Sequence, residues 1–291
     1  MKLTMTGVNI LVTGARGLLG GEIMKQFNQK DGINISGSQC NINNHELITS
    51  EILEKKPNFI IHAAAYTDVD GCELNPSKAY KVNALGTYNV VKNCLGKDIF
   101  LIYISSTGVY GNSKSSQPYN EFDLTAPSSI HHKSKLMGEK IIRDHMNRFL
   151  ILRTGWLFGG SFTKKKNFVA NRIKEAKGKK LMYSDNFQIG NPTYVDDLIN
   201  QIYVLLKSNE FGIFNCVNSG NNVRRLDYVE TIIRESGSKC KVLPAPKEMY
   251  KRVAKVSNNE SAENFKLNVL GLNKMGNWRE SIQRYLKNYN Q

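Results

Sequence analysis

The chain has 291 residues, and 40 Lys plus Arg against 25 Asp plus Glu leave a formal charge of +15. That length holds one large domain or two sharing an interface, and 41% hydrophobic with 22% charged residues excludes a disordered chain. No run reaches the ~18 apolar residues of a membrane span, and Cys40, Cys72, Cys94, Cys216 and Cys240 are too scattered for a disulfide frame or a metal site.

In chain order, Val8 to Val12 is a β-branched run bounded by glycine. Gly20 to Gln29 reads as a helix, Ile33 to Ser36 as a short strand, His45 to Lys55 as a helix and Phe59 to Ala63 as a buried strand. One long helix is expected over Pro76 to Leu95, a strand over Phe100 to Ser105, a helix over Ser134 to Asn147 and a strand over Phe149 to Thr154. Strands separated by helices predict an α/β fold, a Rossmann-type doubly wound parallel sheet with right-handed crossovers. Beyond residue 155 the rhythm loosens. Asn167 to Lys177, Val195 to Lys207 and Arg225 to Ser236 read as helices, Lys239 to Asn273 as irregular, and Asn277 to Asn288 as a closing amphipathic helix with Trp278, Ile282, Tyr285 and Leu286 on one face. The expected division is a mainly nucleotide-binding domain over 1–155 and a mainly substrate-binding α/β cap over 156–291, with the chain crossing between them.

The segment Gly14-Ala-Arg-Gly17-Leu18-Leu19-Gly20 follows the first strand and opens a helix. Glycines there permit the tight turn and let backbone amides approach a pyrophosphate, which the helix N-terminus attracts. The second strand ends Ile-Asn-Ile-Ser36-Gly37-Ser38-Gln39 without the carboxylate that binds a ribose 2′-hydroxyl. Arg16, with Ser36 and Ser38 as donors, instead suits a 2′-phosphate, which favours NADP(H) over NAD(H). The segment preceding the glycine loop has no signal-peptide pattern, and a cytoplasmic setting is expected. The basic clusters Lys164–Lys166 and Lys177–Lys180 are short and lack any nucleic-acid-binding signature, so neither nucleic acid nor membrane is an expected partner.

A series of motifs then carries a resemblance. TGARGLLG is followed by HAAAYTDVDGCE (62–73), KVNALGTYNV (81–90), YISSTGVYG (103–111), PYNEFD (118–123), SKLMGE (134–139), LRTGWLFG (152–159) and QIGNPTYVDDL (188–198). Together, and in this order over nearly the whole chain, they resemble the extended short-chain dehydrogenase/reductases, in the dTDP-4-dehydrorhamnose reductase branch. The resemblance implies an enzyme that transfers hydride to a nucleotide-linked 4-keto-6-deoxy sugar in surface polysaccharide synthesis, with a homodimer as one possible assembly. It places Ala63, Ala64 and Ala65 along the cofactor path, Tyr66 and Thr67 beside the nicotinamide or its ribose, Asn41 at the adenine, Ile42 among the cofactor contacts, and Asn83 as a brace for the site's backbone. Ser106 takes the place of the hydroxyl that polarises the carbonyl, and Lys135 that of the lysine that holds the nicotinamide ribose. Val69, Thr107, Trp156, Gln188, Asn191, Pro192 and Lys255 fall where the family meets its substrate. Arg153 reads as structural or near phosphate, and Lys164 to Lys166 as solvated surface, with phosphate contact the alternative.

The family's tyrosine, four residues before the lysine, is here His131. Positions 131 and 135 share a helix face, whereas His132 is rotated by about 100°. Free tyrosine titrates near ~10 and free histidine near ~6.5, so the substitution changes the acid. Three readings are open: His131 as substitute acid, a proton from water or Tyr110, or cofactor and sugar-nucleotide binding without turnover. Two further departures are Thr107-Gly108 after the hydroxyl, which gives the loop an epimerase-like look, and Lys255-Val256 for an Arg-Pro pair. Epimerisation is the remaining alternative.

Overall fold

Six parallel strands build the central sheet, in the spatial order Gly212–Asn215, β5 (Phe149–Thr154), β4 (Phe100–Ser106), β3 (Phe59–His62), β1 (Val8–Thr13), β2 (Ile33–Gly37). The computed structural model describes residues 7–114, 117–164, 166–220, 222–246, 249 and 252–287. The strands are continuous apolar runs because helices cover both faces. Alternate residues of β1 serve opposite layers: Ile10 and Val12 join the cluster under the Leu18–Phe27 and Val195–Leu206 helices, and Leu11 joins the one under His45–Lys55 and Gly86–Cys94. The expected sheet is therefore found, and among the described residues no helix is long and apolar enough to cross a membrane.

Several elements differ from the sequence reading. The helix expected over 76–95 is Pro76–Tyr80 and Gly86–Cys94 joined by a π turn, Lys81–Leu85, a local widening that residue periodicity does not reveal. The helix expected from Ser134 starts earlier and spans Ile130–His145, because Ser129 caps it by accepting the His132 N–H at 3.3 Å. The sheet's edge strand Gly212–Asn215 was not anticipated, and it brings the chain back to the first domain's sheet from beyond residue 155. Within the stretch read as irregular lie a strand, Lys241–Pro244, paired in parallel with Leu181–Ser184, and a short helix, Phe265–Val269. The final helix is described over Trp278–Lys287 and buries the four residues expected of it; Asn288 lies outside the described residues, as do residues 1–6 and Lys165.

The lobe beyond the sheet is fastened largely by asparagine amides. Asn191 donates to the Asn218 carbonyl at 3.1 Å and accepts the Ala262 N–H at 2.8 Å. Asn218 accepts the Tyr194 N–H at 2.7 Å and donates to the Gly276 carbonyl at 2.9 Å. Asn215 donates to the Tyr119 and Glu263 carbonyls, and Asn264 pairs with both backbone groups of Val217. All four are buried, and each satisfies backbone groups of loops far apart in sequence.

Candidate active site

A cleft of about 1000 Å³ runs along the C-terminal ends of the strands, from the glycine loop to Trp156, Arg225 and Glu260. This is the crevice where open α/β sheets bind ligands. At one end Gly14 has φ +70°, and a Cβ there would sit 2.7 Å from the Ala64 nitrogen. A Cβ on Gly20 would overlap the Gly14 carbonyl, so strand, turn and helix meet at backbone contact. The helix that follows has Gly17 at its N-cap with no side chain satisfying its first amides. Those amides and the N-terminal dipole fit a bound pyrophosphate, and Ala63, Ala64 and Ala65 leave its path open. A dinucleotide therefore fits this cradle.

Among the expected residues, Gly14, Arg16, Gly17, Leu18, Leu19, Gly20, Asn41, Ile42, Ala63, Ala64, Ala65, Thr67, Val69, Ser106, His131, Lys135, Trp156 and Gln188 line the cleft. Seven do not. Ser36 faces back into the sheet, its hydroxyl on the Ile10 carbonyl at 3.5 Å. Ser38 lines the cleft but donates its proton to Glu51, whose other oxygen accepts the Gln39 N–H at 3.1 Å. The serine donors expected for a 2′-phosphate are thus spent, and a carboxylate from the next helix stands at that corner. Tyr66 turns its ring toward the Lys78 ammonium, 4.5 Å away. From the π turn Asn83 accepts the Tyr66 N–H at 2.8 Å and donates to the Tyr66 carbonyl at 3.2 Å and to Ser134 at 2.9 Å. Thr107 is fully buried behind the wall. Asn191 is committed to the amide network and Pro192 is buried beside it, so the motif that carries them supports the cleft from behind. Lys255 is exposed away from the cleft, whereas Arg252 and Val256 of the same loop line it.

The chemistry gathers on one wall. Ser106, at the end of β4, accepts the Gly108 N–H at 3.2 Å, which leaves its hydroxyl proton free to donate into the cleft. One helical turn separates His131 from Lys135, both buried. His131 Nδ1 lies 3.0 Å from the Tyr66 carbonyl, an acceptor only, so Nδ1 carries the proton and Nε2 a lone pair. Burial, then His132 and Lys135, push its pKa down to about 3, so the ring is neutral at pH 7. Lys135 is 4% exposed, and its ammonium sits 3.9 Å from the centre of the Tyr103 ring. Burial lowers its pKa to about 7, against a raising effect of Glu139. Glu139 is itself taken by Arg153 at 2.7 Å and Ser105 at 2.5 Å, which makes Arg153 a structural residue. Tyr110 is fully buried with its hydroxyl on Asn215 at 2.8 Å and does not reach the cleft.

The far end holds residues that no contiguous motif announced. The Arg225 guanidinium lies 3.4 Å from the Trp156 ring centre and 5.1 Å from that of Phe168. Burial lowers its pKa to about 10, and no ion pair to it is found among the described residues. Trp156 has φ +30°, a left-handed backbone, and donates from Nε1 to Glu260 at 3.3 Å. His132 approaches Glu260 at 3.9 Å and packs where a Cβ on Gly108 would otherwise be, so Thr107-Gly108 makes room for an imidazole. Lys164 reaches across the cleft mouth to the Gly17 carbonyl at 2.8 Å, and Lys166 also lines it, so this pair is more than solvated surface.

A parallel doubly wound sheet, a backbone cradle at its first turn, and a hydroxyl, an imidazole and a lysine on the adjoining wall define a Rossmann-type nucleotide-binding protein of the short-chain dehydrogenase/reductase kind. More particularly, the chain belongs to the RmlD substrate binding domain family, which it matches over residues 8–291. The Bacillus subtilis spore coat polysaccharide biosynthesis protein SpsK is 31% identical over 96% of this chain and 96% of its own length. The crystal structure of a dTDP-4-dehydrorhamnose reductase from Clostridium acetobutylicum superposes with a TM-score of 0.92 at 30% identity, over 98% of this chain and all (100%) of that one. The Bacillus anthracis dTDP-4-dehydrorhamnose reductase in complex with NADP gives 0.90 at 29%, over 97% of this chain and 100% of that one.

Proposed function

We propose that this protein is an NADP(H)-dependent reductase of a nucleotide-linked 4-keto-6-deoxy sugar, like dTDP-4-dehydrorhamnose reductase, and serves surface polysaccharide biosynthesis. The observation that carries the reading is the single cleft, in which a glycine cradle, the Ser106–His131–Lys135 wall and the Trp156–Arg225 end follow one another. Reduced nicotinamide supplies the hydride when bound. Ser106 donates its free proton to the sugar carbonyl and draws charge onto that oxygen. Lys135 holds the nicotinamide ribose. Trp156 packs on the sugar, Gln188 borders it, and Arg225, Arg252 and Lys166 offer cations to the diphosphate. Exposed Arg16 at the cradle supports NADP(H), as does the NADP complex of the Bacillus anthracis relative.

A second reading is favoured by one observation, the commitment of the His131 proton to Tyr66. On it, the protein binds both partners without turnover. The purified protein with NADPH and dTDP-4-dehydrorhamnose, and then a panel of nucleotide-linked keto sugars, separates the two. Loss of NADPH absorbance with formation of the 4-hydroxy product is expected. Tight NADPH binding with no turnover across the panel would overturn the reductase and leave the binding protein. NAD recovered from the denatured protein, with interconversion of hydroxyl epimers, would point to epimerisation.

A further inference from the structure

The reaction needs a proton at the carbonyl oxygen, and the residue in the tyrosine's place is badly arranged to give one. The one proton of neutral His131 is held by the Tyr66 carbonyl, a peptide group that Asn83 clamps from the other side. Its remaining nitrogen can only accept. His132 faces Ser129 and Glu260, and Tyr110 and Tyr103 have their hydroxyls on Asn215 and on the Lys135 carbonyl. One proton-bearing cation is left on this wall. The Lys135 ammonium is enclosed, lines the cleft one turn from His131, and has no carboxylate or carbonyl on it among the described residues; its contact is the face of Tyr103. Glu139, the nearest carboxylate on its own helix, is held by Arg153 and Ser105.

We propose that in this chain Lys135 is the proton donor of the reduction, a catalytic residue as well as the holder of the ribose, and that His131 accepts a hydrogen bond from the substrate. This rests on the reductase reading above. With hydride supplied to the carbonyl carbon by the nicotinamide when it is bound, the C=O π pair would move to oxygen, and that oxygen would take a proton from Lys135 Nζ as its N–H bond breaks. The amine left behind is recharged from water once product departs. The groups that face it are His62 on β3, Tyr103 on β4, and His131 and Glu139 on its own helix, the last shared with Arg153 of β5. Burial brings the ammonium down to about 7 against the raising effect of Glu139, which matches an acid at neutral pH.

The test is the pH dependence of kcat in the wild type and in Lys135→Arg, His131→Gln and His131→Tyr. The wild type is expected to lose rate above about pH 7. Lys135→Arg keeps the charge for the ribose but cannot release a proton; kcat should fall more than about 100-fold while the NADPH Kd moves less than about tenfold. His131→Gln should raise KM and keep the position of the basic limb. His131→Tyr brings in a second acid and should carry that limb up by a pH unit or more. The proposal fails if Lys135→Arg turns over within about tenfold of wild type, or if His131→Gln abolishes the limb. A wild type that binds NADPH but reduces no keto sugar would instead overturn the reductase reading on which this one stands.

Discussion

The two ends of the cleft are built on opposite plans. At the cofactor end the contacts are backbone amides, three glycines and three alanines, all within two short segments of chain. At the far end they are long side chains, Trp156, Gln188, Arg225, Arg252 and Glu260, from segments spread over 105 positions of the sequence. A plan of main-chain atoms tolerates almost no added volume but is indifferent to charge. A plan of stacked and ionised side chains can be retuned one residue at a time, which is how one fold can carry different sites.

That contrast can be broken experimentally. The largest effect is expected at the cofactor end: Gly20→Ala forces a methyl group into the Gly14 carbonyl, and NADPH affinity should drop more than about 100-fold by titration, with roughly 1–3 kcal/mol of stability lost. At the sugar end, Arg225→Leu removes an enclosed charge stacked on Trp156. The KM for the sugar nucleotide should rise about 30- to 100-fold, the worth of a charge-assisted bond of ~2–3 kcal/mol, with NADPH affinity unchanged. An equal loss of cofactor binding would show that the two ends are one coupled unit.

Another effect concerns the whole fold. His62, His131 and His132 are neutral when folded, with burial as the first cause, at about 3, 3 and 4, and they titrate near 6.5 when unfolded. Below about pH 6.5 the unfolded chain therefore binds more protons, so stability is full above that pH and declines as pH falls toward 4. At pH 5 each costs up to roughly 2 kcal/mol, readable as a lower urea midpoint than at pH 7. The smallest effect is at the rim: Arg16→Ala should reduce the preference for NADPH over NADH by about fivefold, as expected for an exposed ion pair. No change would assign cofactor choice to the Ser38–Glu51 corner, and Glu51→Gln would then raise NADPH affinity.

The same contrast explains what could be read in advance. The cofactor end was legible from residue order because a turn, its glycines and the helix it opens are contiguous, and the steric reasons for them are local. Arg225 and Glu260 carried no such signal: one is a single charged residue opening a helix, the other a single charged residue in a loop, and only the docking of the lobe sets them beside Trp156. Asn191 was misread for the same reason from the other side, since its motif marks a brace behind the cleft as readily as a contact within it. His131 was found from the resemblance, as the residue four before Lys135, but the direction of its proton depends on the Tyr66 carbonyl, which is 65 residues away. The strand Gly212–Asn215 escaped notice because four residues of mixed polarity make no periodic pattern.

The asparagines that fasten the lobe have a consequence for how the molecule meets its surroundings. An amide has no charge to gain or lose, so the ties that Asn191, Asn215, Asn218 and Asn264 make keep their strength from acid to alkaline conditions and in dilute or concentrated salt. These ties of the lobe thus persist while the groups inside the cleft change their protonation.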